Sequence, residues 1–150
     1  MRAPSGSAGR ARARGATLPT VMLRLRPALE ADSRIAYAIL FGSKGRGTSH
    51  DRSDTDVAIG LTGGAKLCVT EIGDLLSRLE SAAGGHVDLV LLDEARPGLA
   101  YRVFRDGRVI FVRDHRALVE RKARAILEYL DFQPVEQAFT RGVLGVAARG

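Results

Sequence analysis

The order of apolar and polar residues predicts strands separated by helices. Residues 35–41 form a continuous apolar run of strand length, and residues 86–92 form a second run whose only interior charge is Asp88. Residues 54–61 alternate between polar and apolar positions, and the short segment 108–112 follows an Asp-Gly turn. We therefore expect up to four strands.

The alternation over 54–61 has a consequence for chemistry. Side chains two apart on a strand project from the same face, so Val57 and Ile59 share one face and Asp54 and Asp56 the other. This pattern is typical of a half-buried strand whose polar face carries functional residues.

Four segments have the spacing of helices. We expect a short helix around 24–32 with Pro27 in its first turn, an amphipathic helix within 65–83, and a helix that begins near Pro97. The last is a long helix that ends near Pro134. The apolar stripe by which it would pack comprises Val119, Ala123, Ile126, Leu127 and Leu130.

Strands interleaved with helices predict an α/β or α+β fold, with a small mixed sheet of three or four strands and helices packed mainly on one side. Residues 1–20 lack periodicity, so we expect either a disordered basic tail or a start assigned too early, with Met22 as the true beginning. Residues 21–134 would form the domain and 135–150 a short C-terminal extension.

Composition narrows the function classes. The formal net charge is +6, but four arginines lie in the first seventeen residues, which contain no acidic residue. Most of the net positive charge therefore lies in the N-terminal tail. Only 5% of the residues are aromatic and there is no Trp, so few side chains could stack on bases and a nucleic-acid partner is not favoured. The single cysteine, Cys68, and the lack of a long apolar run predict a cytoplasmic protein without a membrane span.

The most informative motif is Gly42-Ser43, followed after ten residues by Asp54 and Asp56. A glycine lets the backbone approach a phosphate, while Ser43 and the amides of a following helix donate to the anion. Two carboxylates on one strand face can ligate Mg²⁺ through oxygen. Asp88 is the expected third ligand, because its strand should lie beside 54–61.

Converging carboxylates repel one another unless a cation is present, so the arrangement implies divalent metal. Two such ions could support an in-line displacement at phosphorus, as in polymerases. Other interpretations stay open: Gly42-Ser43 as an ordinary helix start, the aspartates as solvated charges, and Lys44 and Arg46 as an exposed helix face. His50 and His86 lack metal-ligand spacing and are interpreted as surface residues.

The spacing Gly-Ser-x₁₀-Asp-x-Asp, with a later Asp on a strand, resembles the signature of the DNA polymerase β-like nucleotidyltransferases. The stretches 38–47, 87–90 and 129–132 are similar to those of the minimal nucleotidyltransferase (MNT) antitoxins. The resemblance covers roughly residues 35–132. Gly45 departs mildly from the small residue, often Ala, expected at that position.

The resemblance implies a specific activity. MNT proteins are partnered with HEPN-domain ribonuclease toxins and inactivate them by transferring AMP from ATP to a toxin tyrosine. It makes Asp54, Asp56 and Asp88 the catalytic ligands of Mg²⁺, two ions in all, and makes Gly42, Ser43 and Arg46 nucleotide contacts. The alternatives are nucleotidyl transfer to a small molecule or a nucleic-acid end, and a toxin-binding module without catalysis.

Overall fold

The computed structural model describes the backbone of residues 18–42 and 54–148, and the side chains of residues 20–42 and 54–132. Its elements, in chain order, are α1 (Leu18–Glu30), β1 (Ile35–Phe41), β2 (Thr55–Leu61), α2 (Val69–Ala83), β3 (Val87–Leu91), α3 (Pro97–Asp106), β4 (Arg108–Val112) and α4 (His115–Ala148). The predicted disordered tail falls almost entirely on residues 1–17, which lie outside the described residues.

The four strands form one mixed sheet in the order β3-β2-β1-β4. β1 runs antiparallel to both β2 and β4, whereas β2 and β3 are parallel. The predicted fold class and the predicted neighbourhood of the Asp88 strand and the 54–61 strand are therefore confirmed. None of the helices in the described ranges is long and apolar enough to cross a bilayer.

The helices pack on both faces of the sheet, which differs from the expected one-sided arrangement. On one face, Leu25 of α1, Leu79 of α2 and Val57 of β2 belong to one buried apolar cluster. On the other, Ala100 of α3 and Ala125 of α4 pack against β1 and β2. The reason lies in β1, which is apolar at every position and so buries side chains on both faces.

Helix α1 begins at Leu18, earlier than expected, so Pro27 lies in the helix interior rather than in a first turn. Val21, Leu25 and Leu29, which recur at fourfold spacing along the helix, are all buried. Proline lacks the N–H that would bond to the carbonyl of Leu23. Leu23 is 70% exposed, so water can reach that part of the helix.

The expectation for α4 was wrong in two respects. The helix continues past Pro134 to Ala148, and the apolar stripe predicted to face the core lies at the surface, with Leu127 62% exposed. Among the residues of this helix whose side chains the structure describes, 115–132, Arg121 and Ala125 are buried. The small Ala125 permits a close approach to the sheet, and the Arg121 guanidinium donates to the carbonyl of Leu92 through Nε at 3.1 Å and Nη2 at 2.8 Å.

Candidate active site at the start of β2 and β3

The parallel pairing of β2 and β3 brings two predicted site residues together. Thr55 pairs with Val87, and Asp56 pairs with Asp88 in the next register position. Thr55 and Val87 are buried, so the adjacent Asp56 and Asp88 project from the opposite face. The two strands thus begin side by side with acidic residues at matching positions.

Asp54, His86 and Asp88 form a compact exposed cluster. One potential ligand atom from each lies within 4.8 Å of the other two. Carboxylate oxygens at this separation can share a divalent cation, and an imidazole nitrogen is a further ligand for Mn²⁺ or Zn²⁺. The donor set fits a divalent metal, with the two carboxylates as the hard ligands that Mg²⁺ requires.

His86 is held on several sides. Its Nε2 lies 3.1 Å from Oδ1 of Asp88 and its Nδ1 lies 3.1 Å from Oε1 of Glu80. Its carbonyl accepts from the backbone N–H of Thr55 at 3.1 Å. These contacts fix the ring beside the start of β2.

The carboxylates also change the charge state of the ring. The hydrogen bond to Asp88 is the largest effect and raises the pKa of His86. Desolvation comes next and lowers it, and the negative charges of Asp88, Asp54 and Glu80 each raise it by less. The ring therefore keeps its proton to a higher pH than an ordinary histidine does, and in its protonated form it offsets the repulsion between Asp54 and Asp88.

Asp56 occupies a different part of the site, next to the end of β1. It pairs with Phe41, and its carboxylate lies directly against the Cα of Gly42. Gly42 has φ +72°, in the left-handed region, and a Cβ added there would collide with this carboxylate. The glycine is thus required both by its backbone conformation and by the closeness of Asp56.

The remaining predicted nucleotide contacts, Ser43 and Arg46, lie outside the described residues, as do Lys44, Gly45 and His50. The roles assigned to Asp54, Asp56 and Asp88 stay predictions. Within the described part of the chain, the tight cluster contains His86 in place of Asp56. His86 is exposed, as interpreted from the sequence, but it stands two residues before Asp88, and that spacing on a strand could have indicated its position.

Comparison with known proteins places the chain in a family. The profile of the family described as "Polymerase beta, Nucleotidyltransferase" matches residues 24–116. No curated protein sequence matches the chain.

Solved structures share its fold, and three of them show the extent of the similarity. A toxin–antitoxin crystal structure with AMP-PNP is 26% identical, with a TM-score of 0.72 over 82% of this chain and 98% of that one. A tri-AMPylated Shewanella oneidensis HEPN toxin in complex with its MNT antitoxin gives 22% identity and a TM-score of 0.69, over 85% of this chain and 98% of that chain. The MntA–HepT toxin–antitoxin structure is 22% identical, with a TM-score of 0.67 over 83% of this chain and 97% of that chain.

The second and third structures are only 22% identical to this chain, so they show similarity of the fold alone. The profile match covers more than half of the residues and includes all three aspartates of the site. The chain belongs to the polymerase β-type nucleotidyltransferases, and within that family it resembles the MNT antitoxins.

Proposed function

We propose that this chain is a metal-dependent antitoxin enzyme that transfers AMP from ATP to a tyrosine hydroxyl of a cognate HEPN-domain ribonuclease toxin. The observation that carries the proposal is the convergence of Asp54 and Asp88 within 4.8 Å, at the start of two parallel strands. The solved structure with AMP-PNP is a toxin–antitoxin complex of the same fold, which supports both the nucleotide and the partner.

Asp54, Asp56 and Asp88 would hold Mg²⁺, two ions in the proposal. Bound Mg²⁺ supplies neutralisation of charge on the phosphates and the leaving pyrophosphate. The acceptor hydroxyl oxygen attacks the α-phosphorus of ATP, forming an O–P bond while the bond from that phosphorus to the β-phosphate oxygen breaks. A carboxylate oxygen of Asp88 accepts the hydroxyl proton. Gly42, Ser43 and Arg46 would contact the triphosphate.

His86 and Glu80 have a supporting part in this proposal. The His86 ring contacts Asp88 on one side and Glu80 on the other, so it fixes the direction of the Asp88 carboxylate. His86 is therefore proposed as a positioning residue.

An exposed apolar surface on α4 supports a protein partner. The apolar stripe of α4 leaves Val119 52%, Leu127 62% and Leu130 56% exposed, on one side of the helix. Contiguous apolar side chains on a surface are typical of protein interfaces. We assign this stripe to contact with the toxin.

A labelling experiment tests the proposed function. The chain is co-purified with its cognate toxin and incubated with Mg²⁺ and ATP labelled at the α-phosphate. We expect label on the toxin, reduced at least about 100-fold in Asp54→Asn. The matched control is Asp74→Asn, an exposed aspartate on α2, which should label the toxin as the wild type does.

Other outcomes separate the alternatives. Toxin binding and neutralisation without label, unchanged in Asp54→Asn, would replace the enzyme with a non-catalytic binding module. Label on an added aminoglycoside or RNA, with none on the toxin, would assign the activity to another acceptor.

A further inference from the structure

His86 stands beside the carboxylates of the candidate site and is open to solvent. Its side chain is 58% exposed and that of Asp88 is 54% exposed, so an ion in solution can reach both. One potential ligand atom from each of Asp54, His86 and Asp88 lies within 4.8 Å of the other two. A cation bound by the two carboxylates would therefore lie next to the imidazole.

The distance between His86 and Asp88 matches the distance between two ligands of one ion. Nε2 of His86 lies 3.1 Å from Oδ1 of Asp88. Two adjacent ligand atoms, each about 2.1 Å from an octahedral ion, stand about 3 Å apart. Asp54 can join the same ion, since one of its carboxylate oxygens lies within 4.8 Å of the other two ligand atoms and its side chain is exposed.

Glu80 holds the other nitrogen of the ring. Its Oε1 lies 3.1 Å from Nδ1 of His86 and also accepts from the backbone N–H of Val87 at 3.3 Å. A neutral imidazole carries one N–H, so a proton held on Nδ1 by Glu80 leaves the lone pair of Nε2 on the side of Asp88. Histidines that bind metals usually donate their second nitrogen to a carboxylate in this way.

The contact between Nε2 and the Asp88 carboxylate requires a positive charge between them. A nitrogen lone pair and a carboxylate oxygen repel each other at 3.1 Å unless a proton or a cation separates them. A proton makes the ring an ion-pair partner of Asp88, whereas a metal ion makes it a ligand. Once Asp54 and Asp88 hold a divalent ion, a protonated ring beside that ion would be repelled by it. The ligand arrangement is therefore favoured when metal is bound.

We propose that His86, besides positioning Asp88, binds one of the cations directly through Nε2, and that this nitrogen gives the site a preference for a transition-metal ion such as Mn²⁺ over Mg²⁺. Mg²⁺ strongly prefers oxygen ligands, whereas divalent ions of the first transition row also bind imidazole. The inference rests on the proposed function, since it concerns a cation that Asp54 and Asp88 would hold.

The test is pulsed electron paramagnetic resonance of Mn²⁺ bound to the full chain, which measures the coupling of the metal's electron spin to a directly bound ¹⁴N nucleus. Inorganic tripolyphosphate is added in place of ATP, because it supplies the phosphates without the nitrogen atoms of the base. We expect the coupling in the wild type and its loss in His86→Gln, a change at an exposed position that leaves the core intact. The matched control is His115→Gln, at an exposed histidine where α4 begins, which should keep the coupling.

Competition between Mn²⁺ and Mg²⁺ separates a ligand from a residue that only positions Asp88. His86→Gln should lower the ratio of Mn²⁺ affinity to Mg²⁺ affinity at least about tenfold, whereas loss of positioning alone would weaken both ions alike. Absence of ¹⁴N coupling in the wild type, equal coupling in His86→Gln, or an unchanged affinity ratio would overturn the inference. Any of these results, with Mn²⁺ binding still weakened in Asp54→Asn, would leave the proposed function standing. No Mn²⁺ binding by the wild type would contradict both.

Discussion

Gly42 at the end of β1 lies against the carboxylate of Asp56 on β2, so closely that no side chain fits between them. Strand pairing produces this contact, since Phe41 is the register partner of Asp56. The glycine of the predicted phosphate motif and one predicted metal ligand are therefore parts of a single local structure.

The contact predicts the effect of Gly42→Ala. The substitution introduces a Cβ at φ +72° and also displaces the Asp56 carboxylate, so it should reduce nucleotidyl transfer at least about tenfold and destabilise the fold by about 1–3 kcal/mol. Steady-state transfer assays and urea unfolding measure the two effects.

Gly84→Ala is the matched control. Gly84 has φ +74° at the end of α2, but a Cβ there meets no atom within 4 Å. This variant should also lose about 1 kcal/mol of unfolding free energy, because alanine is disfavoured at this backbone conformation, and it should leave nucleotidyl transfer unchanged. Equal loss of transfer in both variants would show that the contact with Asp56 has no special role.

The exposed stripe of α4 predicts where the toxin binds. Leu127→Glu should weaken toxin binding by about 2 kcal/mol or more, because it places a charge in an apolar interface, while the variant alone should unfold as the wild type does. Isothermal titration with the purified toxin measures the loss.

Leu23→Glu is the comparison for that experiment, because Leu23 is a leucine on α1 that is 70% exposed. It should leave toxin affinity unchanged. If Leu127→Glu binds as tightly as Leu23→Glu, the stripe is not the toxin surface.

The turn between α1 and β1 predicts a pH dependence of stability. Arg34 donates to both carboxylate oxygens of Asp32, at 3.0 and 2.9 Å, and these hydrogen bonds hold the pKa of Asp32 below its ordinary value of 3.8. A lowered folded-state pKa stabilises the fold above about pH 3.8, and this contribution disappears as the pH falls through the folded-state value.

Asp32→Asn should therefore lower the free energy of unfolding by about 1 kcal/mol near neutral pH and by much less at about pH 2.5. Urea unfolding at both pH values, with Asp74→Asn alongside, measures the difference. A loss of the same size at both pH values would contradict the assignment to the Asp32 charge.

The sheet could be predicted from the sequence because strand signals are local. The apolar run over Ile35–Phe41 and the alternation in Thr55–Leu61 depend only on neighbouring residues, and both strands appear where predicted. Asp88 interrupts the apolar run of β3, and this was enough to predict that β3 lies beside β2, as observed.

Features that depend on tertiary contacts could not be predicted. The choice of buried face on α4 is set by the carbonyl of Leu92, which accepts from Arg121 although the two residues are 29 positions apart. An apolar stripe such as that of Leu127 and Leu130 gives the same sequence signal whether it meets the core or a partner. The spacing of two residues places His86 on the same side as Asp88, but its contact with Glu80 at the end of α2 depends on tertiary structure.

The central claim is that Asp54 and Asp88 bind a divalent cation together, and Mn²⁺ binding followed by electron paramagnetic resonance tests it most directly. In the presence of a non-hydrolysable ATP analogue, Asp54→Asn and Asp88→Asn should each weaken Mn²⁺ binding at least about tenfold, and Asp74→Asn should leave it unchanged. Equal Mn²⁺ affinity in all four proteins would contradict the account.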